Sequence, residues 1–533
     1  MAALRARLDK LGVSRQELLL LALILAIGAG FRLYRLDTFG LWRDETQTVF
    51  LARHSFPSGI LQALTYADVS PPLYYFLLHF WERLWPGDWS LRFLSVIFGL
   101  AFLPAVWWVG RRLYDRNIAL LASFVAALSP HHIIVARTVR MYAILSLAAL
   151  AGLYFTYRFV TQPVDERPAG LRSGLWWGVV LSFSLLMYTH NAGPFFVLAA
   201  NLFVLVELLW HREMRRLFWP WVSTQLCVAL LYLPELPLLL QQLHLQGAVM
   251  GPWHTRYTRL QNVVNLFNEL TGLAWPANWP LVWMAVVALG TFTFELRRDL
   301  AALYFRFSTL LNLTLFAFFG PIVLAAVLTP RGIESIPTYV TLVSLPGLCF
   351  LVARAVNAVR PRWLGAVLLI GLSVLWVRTV SWTYNLRHSN FREIAAYTTQ
   401  HIGPDDVIVI APDYVATTFN YYFHGEQKQA AFPAALERVE DITWLGWSQR
   451  WLDAANYIQP TADYVAAQLE PGAHLWYIAT LGGYPNDPSF SQIRVLKSRF
   501  DTLYGEPEVV KSFPRAIETA EIYIYTRPAS KVR

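Results

Sequence analysis

The sequence predicts a polytopic α-helical membrane protein with about eleven spans, interfacial helices and a small α/β domain at its C-terminal end. Three observations carry this expectation. Of 533 residues, 56% are apolar and only 15% charged, whereas a soluble domain carries roughly 25% charged residues. The apolar residues gather in runs of roughly 17–25, the length that crosses a bilayer as a helix. Basic residues cluster between those runs, and beyond residue 385 the runs shorten and charge rises. With a mean hydropathy of +0.39, the chain has too little charge to cover one large soluble globule. Its 2 cysteines, Cys227 and Cys349, both lie inside apolar runs and exclude a disulfide scaffold. An aromatic content of 15%, with 22 Trp, excludes disorder. The net charge of +9 would point to nucleic acid in a soluble protein. Here the basic residues border apolar runs, which is a signal of membrane orientation, and no nucleic-acid partner is expected.

The expected spans are 18–36, 92–110, 117–130, 138–160, 174–188, 192–210, 218–240, 280–294, 308–328, 339–353 and 363–382. Segment 71–85, PPLYYFLLHFWERLW, is short for a span. Its His79, Glu82 and Arg83 form a polar stripe at helical spacing, and its six aromatics suit the headgroup region. Loop charge arbitrates. With 71–85 in the interface, the N-terminus and the clusters Arg111/Arg112/Arg116, Arg212/Arg215/Arg216, Arg297/Arg298/Arg306 and Arg354/Arg360/Arg362 all face the cytoplasm. Loops 37–90, 241–279 and 329–338 then face outward, as does everything after the last span. A cleaved signal peptide is the competing reading of residues 1–30, where AIGAG follows a short apolar core. The run continues through Phe31 and Leu33, which favours a retained anchor. Two domains are expected: 1–385 in the membrane, with outer loop 37–90 carrying an acidic pair, and 386–533 as an extracytoplasmic α/β domain. In the latter, helices are expected at 391–401, 416–423, 464–469 and 493–504, and strands at 407–411, 475–480 and 521–525.

Chemistry-bearing residues concentrate on the outer side. Asp44 and Glu45, in LWRDETQ after the first span, are paired carboxylates at the membrane boundary, a costly placement unless solvated or functional. The bland reading is an acidic helix N-terminus. Asp68 is a third outward acid at the same depth. SPHHIIVARTVRMYAIL places His131, His132, Arg137 and Arg140 on that side too, against the positive-inside trend. Arg can grip a phosphate with a two-pronged fork, and the alternative is lipid headgroups or pairing with the acids. His190 also faces outward. There is no GxxxxGK[ST] loop and no HExxH pair. No Asp-x-Asp stands on a cytoplasmic loop, and ionisable groups avoid mid-span, where coupled transporters place them. The outward His, Asp and Glu residues make a divalent metal possible, but no ligand spacing specifies one, and metal-independent chemistry is expected.

These residues occur in an ordered set of motifs. Asp44–Glu45 is followed by PPLYYFLLHFWERLWPGDWSLRFLSVIFG, then GRRLYDRNIALLASFVAALSP, ARTVRMYAIL and, after the last span, FREIAAYTTQHIGPDDVIVIAP. In this the chain resembles membrane glycosyltransferases of the GT-C superfamily. It is most similar to the bacterial protein O-mannosyltransferase-like family 39, which is related to the lipid A aminoarabinose transferase. The resemblance covers nearly the whole chain, densest over 18–160 and thin over 241–340. It implies inverting transfer of a sugar from a polyprenyl-phosphate donor to a lipid, glycan or protein acceptor on the extracytoplasmic face of a bacterial inner membrane. It also implies that Asp44, of the acidic pair Asp44–Glu45, is the general base, with Arg140 and Tyr142 holding the donor phosphate. Two positions depart from the family pattern. Ser70 stands where His often precedes the Pro-Pro pair, and Thr338–Tyr339 stands where Arg-Tyr often leads into a late span; Arg331 could substitute as a phosphate ligand. Independently of family, a lipid-phosphate leaving group needs cations, which Arg137 and Arg140 could supply at ~2–4 kcal/mol per well-placed donor. The acceptor hydroxyl needs a carboxylate within about 3 Å or one water away. The competing functions are a lipid-linked glycan flippase or transporter, and a membrane-anchored sensor, which leaves most of the spans unexplained.

Overall fold

The computed structural model of the protein describes residues 12–163, 170–249, 308–328, 335–433, 447–480 and 488–527. The expected span 280–294, the loop 329–334 with Arg331, and His254 and Glu269, two more residues of loops expected to face outward, lie outside the described residues.

The chain opens on α1 (Arg15–Leu33), whose first turn is capped by the Ser14 side chain accepting from Glu17 N–H. Four helices build the loop after α1 and the next long apolar helix: α2 (Arg43–Ala52), α3 (Ser58–Ala67), α4 (Leu73–Leu84) and α5 (Asp88–Leu113). α5 starts after Gly87, whose φ of 107° is costly for any residue with a Cβ. Then follow α6 (Arg116–Leu128), the single-turn α7 (Pro130–Val135), α8 (Tyr142–Val160), α9 (Gly174–Thr189) and α10 (Gly193–Trp210). A 3₁₀ turn leads into α11 (Phe218–Tyr232) and α12 (Leu236–Val249). The bundle closes with α13 (Thr309–Leu328), α14 (Ser335–Ala358) and α15 (Arg362–Thr383).

Among the described residues, eight helical stretches are long and apolar enough to cross a membrane, and the protein is an integral membrane protein. Two other expected spans, 117–130 and 174–188, form helices of 13 and 16 residues, fewer than the roughly 20 a full crossing takes. The expected span 138–160 begins only at Tyr142, because 136–141 is turned back on itself, with Arg140 N–H donating to Thr138 O. α8 and the part of α14 from Tyr339 are the central helices, with 72% and 83% of their apolar windows buried; only 22% of α15 is, so its outer face is left for lipid. At 12 residues α4 is about 18 Å long, too short to cross. Its polar stripe is used: His79 Nδ1 bonds Ala52 O at 2.7 Å and Glu82 pairs with Arg53 at 2.8 Å.

Beyond α15 stands the small sheet domain. It comprises α16 (Phe391–His401), β1 (Val407–Ala411), α17 (Ala416–Tyr422), β2 (Lys428–Ala431), α18 (Trp447–Leu452), α19 (Ile458–Gln468), β3 (His474–Ala479), α20 (Pro488–Tyr504), β4 (Val509–Lys511) and β5 (Glu521–Thr526). The sheet order is β2-β1-β3-β5-β4, parallel on the β2-β1-β3 side and antiparallel from β3 to β4. Every residue of β1 is buried, because both faces are covered. Val407 and Val409 pack toward Ile493 and Phe500, and Ile408 and Ile410 toward Phe391 and Phe419.

This domain is seated on the loop after α1 through Asp88 at the start of α5. The Asp88 carboxylate accepts from the Tyr421 and Tyr422 hydroxyls at 3.0 and 2.7 Å and pairs with Arg392. Leu41 N–H donates to the Tyr422 hydroxyl, and Thr46 on α2 meets Thr418 at 3.0 Å. Asp88→Ala therefore strands two phenols and a guanidinium at one joint. It should lower unfolding free energy by about 1–3 kcal/mol and expose the stretch before α16 to limited proteolysis; an unchanged melting curve and cleavage pattern would show that the seat rests on other contacts.

Candidate active site

α2 is the element that places the acidic pair. Its first turn is a capping arrangement in which the Glu45 carboxylate reaches back to Trp42 N–H at 3.3 Å. Glu45 is fully buried, and its remaining lone pairs take Arg92 Nε at 2.9 Å, Arg92 Nη2 at 2.6 Å and Val139 N–H at 3.0 Å. Arg92 spends its other donors on Leu36 O, Phe39 O and Gly40 O. One buried pair thus ties α5, the loop after α1 and the 136–141 turn together. Asp44, on the same turn, has among the described residues a single side-chain hydrogen bond, to Arg43 Nε at 3.4 Å, and its side chain is 21% exposed. Glu45 is an anchor and Asp44 the available carboxylate.

Opposite stands Arg140. Nη1 donates to Asp68 Oδ2 at 3.0 Å and to Thr48 Oγ1 at 2.9 Å, while Nε reaches the Tyr142 hydroxyl at 3.4 Å. Burial works against this cation, but Tyr142, Asp68, Tyr75 and Asp44 together outweigh it and hold the guanidinium firmly protonated. Asp68 is buried as well. Burial would raise its carboxyl, yet Arg140, the Tyr75 hydroxyl at 2.7 Å and Val69 N–H at 2.6 Å hold it below its ordinary value. The Asp68 loop is pinned from behind by Asn191 Nδ2 on Val69 O and Gln242 Nε2 on Ser70 O. Tyr142 stacks on Tyr339, ring centroids 4.6 Å apart and 12° from parallel, and the Tyr339 phenol feels the charges of both Asp44 and Arg140. His190 lies beside them, 4.9 Å from the Tyr339 ring.

The expected site residues thus divide. Asp44, Asp68, Arg140, Tyr142 and His190 come together. The others expected there, among the described residues, have different partners. Arg137 donates through Nη1 to Phe31 O, Arg32 O and Tyr34 O and through Nη2 to Arg35 O. It caps the C-terminal end of α1, where a cation complements the helix dipole, and does not join the group around Arg140. His132 Nδ1 meets the Arg32 guanidinium at 2.7 Å, and His131 Nε2 meets Thr341 at 2.8 Å. Burial lowers the His131 imidazole to about 4, so it stays neutral. Two participants were not anticipated from sequence. Arg92 carried the same signal as Arg140, an arginine at the outer end of a span, against the charge trend. Tyr339 had registered only as a departure from a motif.

The helical bundle, with a sheet domain seated on the loop that carries Asp44, has the fold of the GT-C membrane glycosyltransferases. Comparison with known proteins agrees. The family model described as dolichyl-phosphate-mannose-protein mannosyltransferase matches residues 69–237. ArnT from Cupriavidus metallidurans, solved bound to undecaprenyl phosphate, superposes with a TM-score of 0.57 at 14% identity over 94% of this chain and 97% of its own. The oligosaccharyltransferase AglB from Archaeoglobus fulgidus, solved with an inhibitory peptide and a dolichol-phosphate, gives 0.56 at 13% identity over 97% of this chain and 74% of its own. At these identities the likeness is one of fold. A search of curated protein sequences found no match.

Proposed function

We propose that the protein transfers a sugar from a polyprenyl-phosphate-linked donor to an acceptor hydroxyl or phosphate on the extracytoplasmic face of a bacterial inner membrane, with inversion at the anomeric carbon. The observation that carries this reading is the shared electrostatic neighbourhood of Asp44 and Arg140, one accessible carboxylate and one buried guanidinium, with Tyr142 and Tyr339 beside them. Two proteins of like fold were solved with a polyprenyl or dolichyl phosphate, which supports a lipid-phosphate leaving group.

In the proposed step Asp44 takes the proton of an acceptor hydroxyl as its oxygen attacks the anomeric carbon. The carbon–oxygen bond to phosphate breaks, its electron pair stays on the phosphate, and Arg140 and Tyr142 receive the new charge. Single displacement from the face opposite the leaving group inverts the centre. No metal is given a role, and activity after exhaustive chelation checks that choice. The N-terminus is placed in the cytoplasm and the sheet domain outside, by loop charge.

The test is incubation of purified protein with a panel of polyprenyl-phosphate sugars and an envelope extract as acceptor source, reading release of polyprenyl phosphate. Release with at least one donor is expected. Transbilayer movement of intact donor in liposomes, with no cleavage, would replace this reading with the transporter.

A further inference from the structure

The turn joining α9 to α10, read Thr-His-Asn-Ala-Gly over 189–193, is held from several sides. His190 N–H donates to Leu186 O, and His190 O accepts from Gly193 N–H at 2.8 Å. A Cβ at position 193 would collide with the Leu186 carbonyl, so the turn needs glycine there. Asn191 ties the turn to the Asp68 loop through Val69 O at 2.7 Å.

Inside this frame, Ala192 N–H donates to His190 Nδ1 at 2.9 Å. A backbone N–H can donate only to a lone pair, so Nδ1 carries no proton and the ring's hydrogen sits on Nε2. The ring is 7% exposed and lies against Tyr339 and Tyr142, at centroid separations of 4.9 and 5.9 Å. Burial first, and then the charge of Arg140, lower the imidazole to about 3, with Asp68 opposing. It is therefore neutral across the physiological range, a fixed N–H donor rather than a titrating group. Among the described residues no acceptor meets Nε2. His132 Nε2 is enclosed in the core without a partner, and His190 Nε2 is not among such enclosed atoms.

We propose that the His190 Nε2–H is a ligand of the donor's leaving phosphate, donating to a phosphoryl oxygen held jointly with Arg140. The proposal rests on the transferase reading above and adds to it a neutral donor with a fixed tautomer. When the anomeric carbon–oxygen bond breaks, its electron pair moves onto phosphate and the charge there grows. A preset N–H donor strengthens with that charge and transfers no proton. Its partner atom is anionic, which is why it stands beside a guanidinium. A sugar hydroxyl in the same place would need the contact equally before and after bond cleavage.

The experiment compares full-length wild type with His190→Met, of similar length but without a donor, and His190→Gln, which keeps an N–H. Turnover of a polyprenyl-phosphate sugar and binding of polyprenyl phosphate are both read. His190→Met should lower kcat by about 10²–10³-fold with donor KM within about threefold. It should weaken polyprenyl-phosphate affinity about tenfold or more, and His190→Gln should regain most of both losses. Unchanged kcat in His190→Met, equal losses in both variants, or a loss confined to KM would each overturn the phosphate contact. Should His190→Met not fold, His190→Phe keeps a ring in the slot and answers the same comparison with His190→Gln. Wild type that neither binds polyprenyl phosphate nor cleaves any donor overturns the transferase reading, and this inference with it.

Discussion

Asp44→Asn should lower kcat by about 10²–10⁴-fold, the range a positioned general base contributes, while thermal unfolding and polyprenyl-phosphate binding stay close to wild type. Asn keeps the shape of the side chain and loses the basic oxygen. Among the described residues that carboxylate has one side-chain hydrogen bond, the 3.4 Å approach of Arg43, and it is partly open. Its neighbour makes the control. Glu45 takes four donors in the core, two of them from Arg92. Glu45→Gln leaves Arg92 charged and unpaired, a change that costs about 3–5 kcal/mol. The two adjacent acids therefore separate on two axes, Asp44 in turnover and Glu45 in melting temperature. Wild-type turnover in Asp44→Asn would put the base elsewhere; an unmoved melting temperature in Glu45→Gln would deny the anchor.

Much of this architecture could be read from the chain, and the failures have physical causes. Helix 391–401 was legible from its helical period and strand 407–411 from its short continuous apolar run, with clear end signals, Gly403-Pro404 between them and Pro412 after. β2 and β4 were not, since KQAA and VVK are too short to show alternation and are ordered by pairing with β1 and β5. In the site, Asp44 and Arg140 were legible as charges out of place at a membrane boundary. What residue order could not give is which charges meet. Arg137 and Arg140 are three apart, yet one turn of irregular backbone sends the first onto the carbonyls of α1 and the second onto Asp68 and Thr48. Asp44 and Glu45 are adjacent, yet successive helical positions point about 100° apart, one to the core and one to the opening.

Arg140→Met should show that one residue holds two jobs. Removing the guanidinium takes about 2–4 kcal/mol of stabilisation from the developing phosphate charge, or roughly 10²–10³-fold in kcat. It also leaves Asp68, 1% exposed, as a buried carboxylate whose remaining donors among the described residues are Tyr75, Ser70 and Val69 N–H. That stranding should lower stability by about 3–5 kcal/mol at neutral pH. The pH dependence follows from the direction of the Asp68 shift. With Arg140 present the folded carboxyl sits below its ordinary value, so the pair's contribution is complete above about pH 4 and fades as pH falls through the folded value. Without Arg140, only hydrogen bonds such as those from Tyr75 and Val69 N–H oppose burial, so the carboxyl rises, Asp68 takes a proton earlier on acidification and the deficit of Arg140→Met narrows. The double variant Asp68→Asn/Arg140→Met removes both charges at once. It should regain most of the lost stability, a coupling the double-mutant cycle measures directly, and regain none of the activity. If activity returned with stability, Arg140 would be scaffold alone, and the charge stabilising the departing phosphate would have to come from another part of the protein.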